Sequence, residues 1–285
     1  MTHLKEITPE WVKIPTRRLR TQYQRVTSRS RALPDFIIIG AQKAGTSSLY
    51  TYLSQHPQLL ASFKKEVHFF DGGINPTVDN YKKGDVWYRS HFPLKKNVAE
   101  QMRVFEASPL YIFNPLVPAR IANLLPNVKI IVLLRNPTER AISQYFHEKK
   151  LGREFLSIEE AFQNEEERMS RALKNQDYKS NDFICHSYRS RGLYKEQLDR
   201  YFKYFNPDQF SILNSESFFS NPEETLRQVF EFVDVNPNYR VPDLKPRMVG
   251  KNRKTTSLAI KNELDSFFAP YNQELYKLVG EDYGW

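Results

Sequence analysis

The sequence predicts an α/β domain built on a mostly parallel sheet with helices on both faces. Three observations point there. Short apolar runs that read as buried strands recur at residues 36–39, 129–134 and 209–213. Segments with helical spacing alternate with them, which implies parallel pairing through crossover connections. The first run also leads through a glycine-bounded turn straight into a helix, and in such sheets ligands sit at the carboxyl ends of the strands.

Taken in order, a basic extension covers residues 1–33 and one domain covers 34–285. The run Phe36-Ile37-Ile38-Ile39 is the first strand, and helical spacing over 46–55 ends at His56-Pro57. KIIVLL at 129–134 is the second strand, and Pro137 starts a helix through about Lys149. Residues 151–190 are polar and helical in places, with charge clusters such as Glu165-Glu166-Glu167-Arg168. Gly192 precedes a helix through about Tyr204, then come a strand at 209–213 and a helix at 222–232. The tail reads as a helix over 258–278 that is broken at Pro270.

With 285 residues, 40% of them hydrophobic, the chain buries the core of one large domain. The single cysteine, Cys185, excludes an intrachain disulfide and a thiolate zinc site, and no metal is expected. No apolar run approaches the length of a membrane span. Together these suggest a reducing compartment, most simply the cytoplasm. Of the net charge of +9, residues 1–34 carry +6, which leaves the rest nearly balanced, so nucleic-acid binding is not demanded. The basic leader reads as a solvated extension, or as an arm that touches a membrane surface or an acidic partner.

The segment IIIGAQKAGTSSLYTYL is a strand, a turn bounded by Gly40 and Gly45, and a helix start whose amides and dipole favour an anion. A Walker loop needs lysine directly after the second glycine, and that place holds Thr46. The lysine is Lys43, inside the loop, which suits a donor without a γ-phosphate. In KIIVLLRNPTERAISQY, Arg135 leaves the end of a buried strand, Asn136 caps the next helix and Glu139 has capping-box spacing. Asn136, Glu139 or Arg140, and Ser143 share a helical face, so Arg135 and Ser143 can clamp a phosphate. In KKEVHFFD, Glu66 and His68 share a face if the chain is extended. A desolvated carboxylate with a raised pKa, or the histidine, would serve as a general base. Equally, Glu66 would pair with Lys64 or Lys65, and His68 would pack at an edge.

FIIIGAQKAGTSSLYTYLSQHP resembles the 5′-phosphosulfate loop of sulfotransferases that use 3′-phosphoadenosine 5′-phosphosulfate (PAPS), above all the carbohydrate and heparan-sulfate branch and its bacterial relatives. The resemblance covers about residues 34–285 and implies a P-loop-NTPase-like three-layer fold. It implies that Lys43 holds the phosphosulfate and that Ala44, Gly45, Thr46, Ser47 and Ser48 bind the 5′-phosphate. Arg135 and Ser143 would bind the 3′-phosphate, with RNP where the family usually has RDP. EVHFF resembles the segment with the catalytic glutamate, which makes Glu66 the base and His68 its helper. FEASPLY resembles an EKxxxYF segment, with Ala107 where the animal enzymes carry lysine. Lys251, Asn252, Arg253 and Lys254 resemble a basic loop that closes over the nucleotide, although a solvated basic loop reads the same way. The animal versions have a cysteine pair beside it, and this chain has none. Arg191-Gly192-Leu193-Tyr194 also has a family counterpart but serves equally as a helix start, outside the site.

The implied activity is sulfuryl transfer from PAPS to a hydroxyl or amine, releasing adenosine 3′,5′-bisphosphate. A carbohydrate or glycolipid is the first acceptor class, and a small hydroxylated metabolite or carrier-bound acyl chain the second. Two other classes compete: a P-loop kinase, which Thr46 disfavours, and a non-catalytic nucleotide- or glycan-binding protein.

Overall fold

The computed structural model describes residues 19–247 and 256–285. Its five strands form one parallel sheet in the order β2-β3-β1-β4-β5. They are β1 (Phe36–Gly40), β2 (Leu59–Ala61), β3 (Arg103–Ala107), β4 (Lys129–Leu134) and β5 (Phe210–Asn214). Flanking helices begin with α1 (residues 19–26), α2 (Thr46–Leu53), α3 (Gly84–Arg89), α4 (Val117–Leu124) and α5 (Pro137–Lys150). Then follow α6 (Ile158–Gln163), α7 (Glu165–Lys174), α8 (Asn181–Ile184) and α9 (Tyr194–Phe202). The last are α10 (Ser215–Ser220), α11 (Pro222–Phe232) and α12 (Leu258–Val279). This is the α/β architecture that the alternating pattern implies, in the P-loop-like form that the resemblance implies.

Strand β1 lies in the middle because its side chains are buried along its whole length, as a strand covered on both faces requires. Phe36 and Ile37 face Phe105 and Glu106 of β3 on one side and Lys129 and Ile130 of β4 on the other. Strands β2 and β3 carry no comparable apolar run. The first is three residues long, and the second begins at Arg103 and buries Glu106, so the sheet's pairing overrides a weak local signal. Residues before Pro34 already touch the domain: Arg31 donates to the Phe92 carbonyl at 2.7 Å and the Ala32 amide to that of Pro93 at 2.9 Å.

The tail differs from expectation. Helix α12 runs unbroken through Pro270. Proline removes one backbone hydrogen bond, at a cost of roughly 3 kcal/mol. Ile260, Leu264, Phe268, Asn272, Leu275 and Tyr276 form one buried stripe that spans the proline, and its burial outweighs that loss. Phe268 of this stripe meets the turn before α9. A Cβ added at Gly192 would lie 2.5 Å and 2.7 Å from the Phe268 ring and 2.9 Å from Pro137. Gly192→Ala should therefore lower unfolding stability by about 1–3 kcal/mol through overpacking. Urea denaturation would show this as a lower midpoint at an unchanged slope.

Candidate functional site

The carboxyl ends of β1, β3 and β4 supply the groups from which the site is built. After β1 the chain turns through Ala41, whose amide donates to the Leu133 carbonyl at 2.7 Å, and enters α2 at Gly45. Gly45 has φ +105°, open to glycine, and a Cβ there would strike the Phe219 ring at 2.7 Å. No side chain caps α2. Among the described residues, the amides of Lys43, Gly45, Thr46 and Ser47 and the hydroxyls of Thr46 and Ser47 make no hydrogen bond. Ser48 is engaged, its oxygen accepting the Arg247 amide at 2.8 Å. Ala44 is fixed through its carbonyl, which accepts the Ser215 hydroxyl at 2.6 Å.

Lys43 has φ +73°, and its ammonium forms no ion pair among the described residues. Burial pushes its pKa below the ordinary lysine value. Glu148 opposes that shift, whereas Arg135 and Arg140 add to it. The cation is thus costly until an anion arrives. Arg135, buried at the end of β4, donates to the Lys43 carbonyl at 3.0 Å, so the two expected donor motifs meet directly. The Asn136 side chain caps α5 as expected, accepting the Glu139 amide at 3.1 Å. The capping box is incomplete, because Glu139 turns instead to Arg135 at 3.4 Å and Lys261 at 3.3 Å. Arg140 points into the core, where it bonds Gln144 at 2.7 Å and the Tyr188 carbonyl. Ser143 is half-buried, and its hydroxyl makes no hydrogen bond among the described residues. Lys251, Asn252, Arg253 and Lys254 lie outside the described residues.

Beyond β2 the chain continues beside β3, and the Glu66 amide donates to the Ala107 carbonyl at 3.0 Å. Glu66 and His68 have φ +59° and +53°, so the segment is not extended as the sequence suggested. They meet all the same: Glu66 Oε2 lies 3.4 Å from His68 Nε2, and Lys65 also pairs with Glu66. On the other ring nitrogen, His68 Nδ1 lies 2.6 Å from the buried carboxylate of Asp71. Burial opposes the imidazolium, yet Asp71 first and Glu66 second raise His68 to about 9. Burial would likewise raise Glu66, but His68 and Lys65 overcome it and hold the carboxyl at about 2. The expected raised carboxyl is therefore not Glu66. It is Glu106, fully buried, which burial raises to about 7 against the hydrogen bonds of Tyr88 and Ser108. Ala107 packs in the core, so this position contributes no cation.

A cavity of about 170 Å³ joins the loop to this pair. Gln42, Glu66, His68, His147, Glu148 and Arg153 form its polar wall. Ile74, Pro109, Leu110 and Ile184 form an aliphatic one. His147 is pushed down to about 4 by burial and then by Lys43, Arg153 and Lys150, so it stands neutral at physiological pH. Glu148 pairs with Arg153 at 2.7 Å. Arg191, left outside the site on sequence grounds, donates to Gln42 and to the Phe183 and Ile184 carbonyls. Tyr194 holds the Arg135 carbonyl at 2.7 Å. The spacing of Asp71, three residues after His68, was the one local hint of these partners.

The sulfotransferase domain family matches residues 33–266. A solved structure of a sulfotransferase from Alicyclobacillus acidocaldarius is similar, with a TM-score of 0.72 and 33% identity, covering 88% of this chain and 97% of that one. The membrane-associated sulfotransferase kil1 of Dictyostelium discoideum is 29% identical over 91% of this chain and 68% of its own length. The bifunctional heparan sulfate N-deacetylase/N-sulfotransferase 2 of Mus musculus is 30% identical over 87% of this chain, which spans only 29% of that protein.

The charge arrangement makes a direct prediction. The His68–Asp71 pairing contributes stability that is complete below the ordinary histidine value of 6.5 and is lost as pH rises through about 9. In an NMR titration of the imidazole, the midpoint should lie near 9 and fall toward or below 6.5 in Asp71→Asn. An unchanged midpoint in that variant would refute the pairing.

Proposed function

We propose, for a chain that belongs to the sulfotransferase family, that the donor is PAPS and the acceptor a hydroxyl or amine of a carbohydrate or glycolipid. The observation that carries the donor reading is the loop at residues 43–47, where unpaired amides, two unpaired hydroxyls and an unpaired ammonium converge among the described residues. That set fits an anionic phosphosulfate. When bound, PAPS supplies the sulfuryl group and leaves as adenosine 3′,5′-bisphosphate.

In this reading the amides of Gly45 to Ser47 and the Thr46 and Ser47 hydroxyls hold the 5′-phosphate, while Ala44 and Ser48, whose amides bond the Ala41 and Gly45 carbonyls, shape the loop around it. Lys43 stabilises the charge that develops on the leaving oxygen. Arg135 and Ser143 bind the 3′-phosphate, with residues 251–254 assisting. Glu66 takes the acceptor proton, and His68 orients and balances it. A carboxylate held at about 2 is a weak base toward a free hydroxyl. A hydroxyl that has begun to bond to sulfur is far more acidic, so a weak base suffices once transfer is under way. Chemistry of this kind rests on positioning and electrostatics.

A second acceptor reading has its own observation. The cavity's other wall is aliphatic and offers no aromatic ring for a sugar to stack on. A hydroxyl on a small metabolite or a carrier-bound acyl chain fits that wall. Incubation with ³⁵S-labelled PAPS and a cell extract, with identification of the labelled product, separates the two. Glu66→Gln should lower turnover by about 10²–10⁴-fold while sparing PAPS affinity. Lys43→Ala and Arg135→Ala should each weaken PAPS binding by roughly tenfold or more. PAPS affinity unchanged in both cation variants would sink the donor site.

Peripheral membrane contact belongs to the same proposal. Leu19, Tyr23 and Val26 are exposed at i, i+4 and i+7 of α1, between Arg20 and Arg25, and residues 19–34 hold no carboxylate. A Dictyostelium relative is described as membrane-associated. Among the described residues no helix is long and apolar enough to cross a membrane. A cytoplasmic protein that docks on anionic lipid should co-sediment with phosphatidylserine vesicles. Leu19→Glu with Val26→Glu should abolish that, and sedimentation unaffected by the pair would refute the contact.

A further inference from the structure

We infer that Glu106 is a positioning residue, which holds the Glu66–His68 pair in place by fixing the direction of two hydroxyl groups behind it. The inference rests on the reading of Glu66 as the base, and extends it to a residue that touches no substrate. Glu106 lies on β3 opposite Ile37 and is fully buried. Its Oε1 accepts the Tyr88 hydroxyl at 2.6 Å and the Tyr111 hydroxyl at 3.4 Å, and its Oε2 accepts the Ser108 hydroxyl at 3.0 Å.

The Ser108 and Tyr111 hydroxyl oxygens also face the catalytic segment. Ser108 Oγ accepts the His68 amide at 3.3 Å. Tyr111 Oη accepts the Phe69 amide at 2.8 Å and the Phe70 amide at 3.3 Å. Three consecutive amides thus end on hydroxyls that are themselves anchored to one carboxylate. A hydroxyl carries one proton and can rotate it. With the proton drawn into Glu106, only lone pairs are left to face the amides. Without that acceptor, each proton is free to swing toward the amide hydrogens and push them away.

The segment needs such support. Glu66 and His68 both have left-handed backbone, which for residues with a Cβ persists only where the surroundings over-determine it. The Ala107 carbonyl holds the Glu66 amide, and the Asn80 side chain holds the His68 carbonyl at 2.9 Å. The His68, Phe69 and Phe70 amides depend on Ser108 and Tyr111, hence on Glu106. Ala107 and Ser108 follow Glu106 in the chain, so one strand end supplies the anchor and two of the contacts.

The test compares Glu106→Gln, Ser108→Ala and Tyr111→Phe with Glu66→Gln. Glutamine has one acceptor oxygen and an amide that competes with the incoming hydroxyls. Glu106→Gln should lower kcat by about 10–100-fold, the scale of a small misplacement of catalytic groups. Its affinity for adenosine 3′,5′-bisphosphate should stay within about twofold, since no donor-binding contact changes. Ser108→Ala and Tyr111→Phe, which remove only a hydroxyl, keep the test open if Glu106→Gln fails to fold. The Glu106→Gln/Ser108→Ala double variant should be no worse than Glu106→Gln alone, because both act through one chain of contacts. The His68 imidazole resonances should shift in all three single variants. Wild-type kcat and unmoved His68 resonances in folded Glu106→Gln and Ser108→Ala would overturn the inference, even with Glu66→Gln inactive. If Glu66→Gln stays active, the base reading fails, and the His68 resonances alone decide whether Glu106 positions the segment.

Discussion

Strand β1 satisfies its backbone only by pairing in parallel on both sides at once, with Phe105 to Ala107 and with Lys129 to Val132. That double register brings three chain segments, distant in sequence, to one edge of the sheet. The loop with Lys43 leaves β1, Arg135 leaves β4, and the carbonyl of Ala107 at the end of β3 catches Glu66. A slip of one residue would move every β1 side chain to the opposite buried face, where it would meet packing shaped for another residue, so close packing of Phe36 to Ile39 enforces the geometry of groups that it never touches. The site is therefore a consequence of the core.

The electrostatics at this edge are uneven by design of the fold. Lys43, Arg135, Arg140 and Arg191 crowd behind the loop, and the last three are largely buried. Burial and mutual repulsion lower the pKa values of Lys43, Arg140 and Arg191. Glu148 is the carboxylate that opposes this for both Lys43 and Arg191, and Arg153 already holds it. On the β3 side the charges are matched: His68 sits between Asp71 and Glu66. One half of the site is short of negative charge, and the other is internally neutral. This asymmetry is what the proposed reading requires, with the anionic donor in the first half and the acceptor hydroxyl in the second.

Much of this was legible in the sequence. β1, β4 and β5 announce themselves as apolar runs, and α5 and α11 start at prolines where the pattern placed them. Lys43, Arg135, Glu66 and His68 were visible from loop chemistry and family likeness, and the structure brings Lys43 to Arg135 and Glu66 to His68. What escaped has physical causes. β2 and β3 are strands by pairing rather than by composition. Left-handed backbone at Lys43, Glu66 and His68 leaves no mark on a residue string. The raised carboxyl was assigned to Glu66 because burial and ion pairing cannot be told apart without a fold, and pairing dominates there. Pro270 misled because a local rule met a stripe of buried side chains on either side of it.

Ala107 bears on how the transferred group would be held. With its side chain packed in the core, no cation reaches the site from β3, although a lysine is usual there in animal relatives. The cationic groups near the cavity are Lys43, which forms no ion pair among the described residues, Arg153, which Glu148 already holds, and the His68 imidazolium, which two carboxylates balance. Charge that appears on a leaving oxygen would therefore fall to Lys43 almost alone. Its left-handed backbone and its carbonyl bond to Arg135 then take on a purpose, since a single cation must be aimed rather than merely present. The loop, the buried arginine and the turn at Glu66 are in this sense one device, and its precision depends on the strand register that joins them.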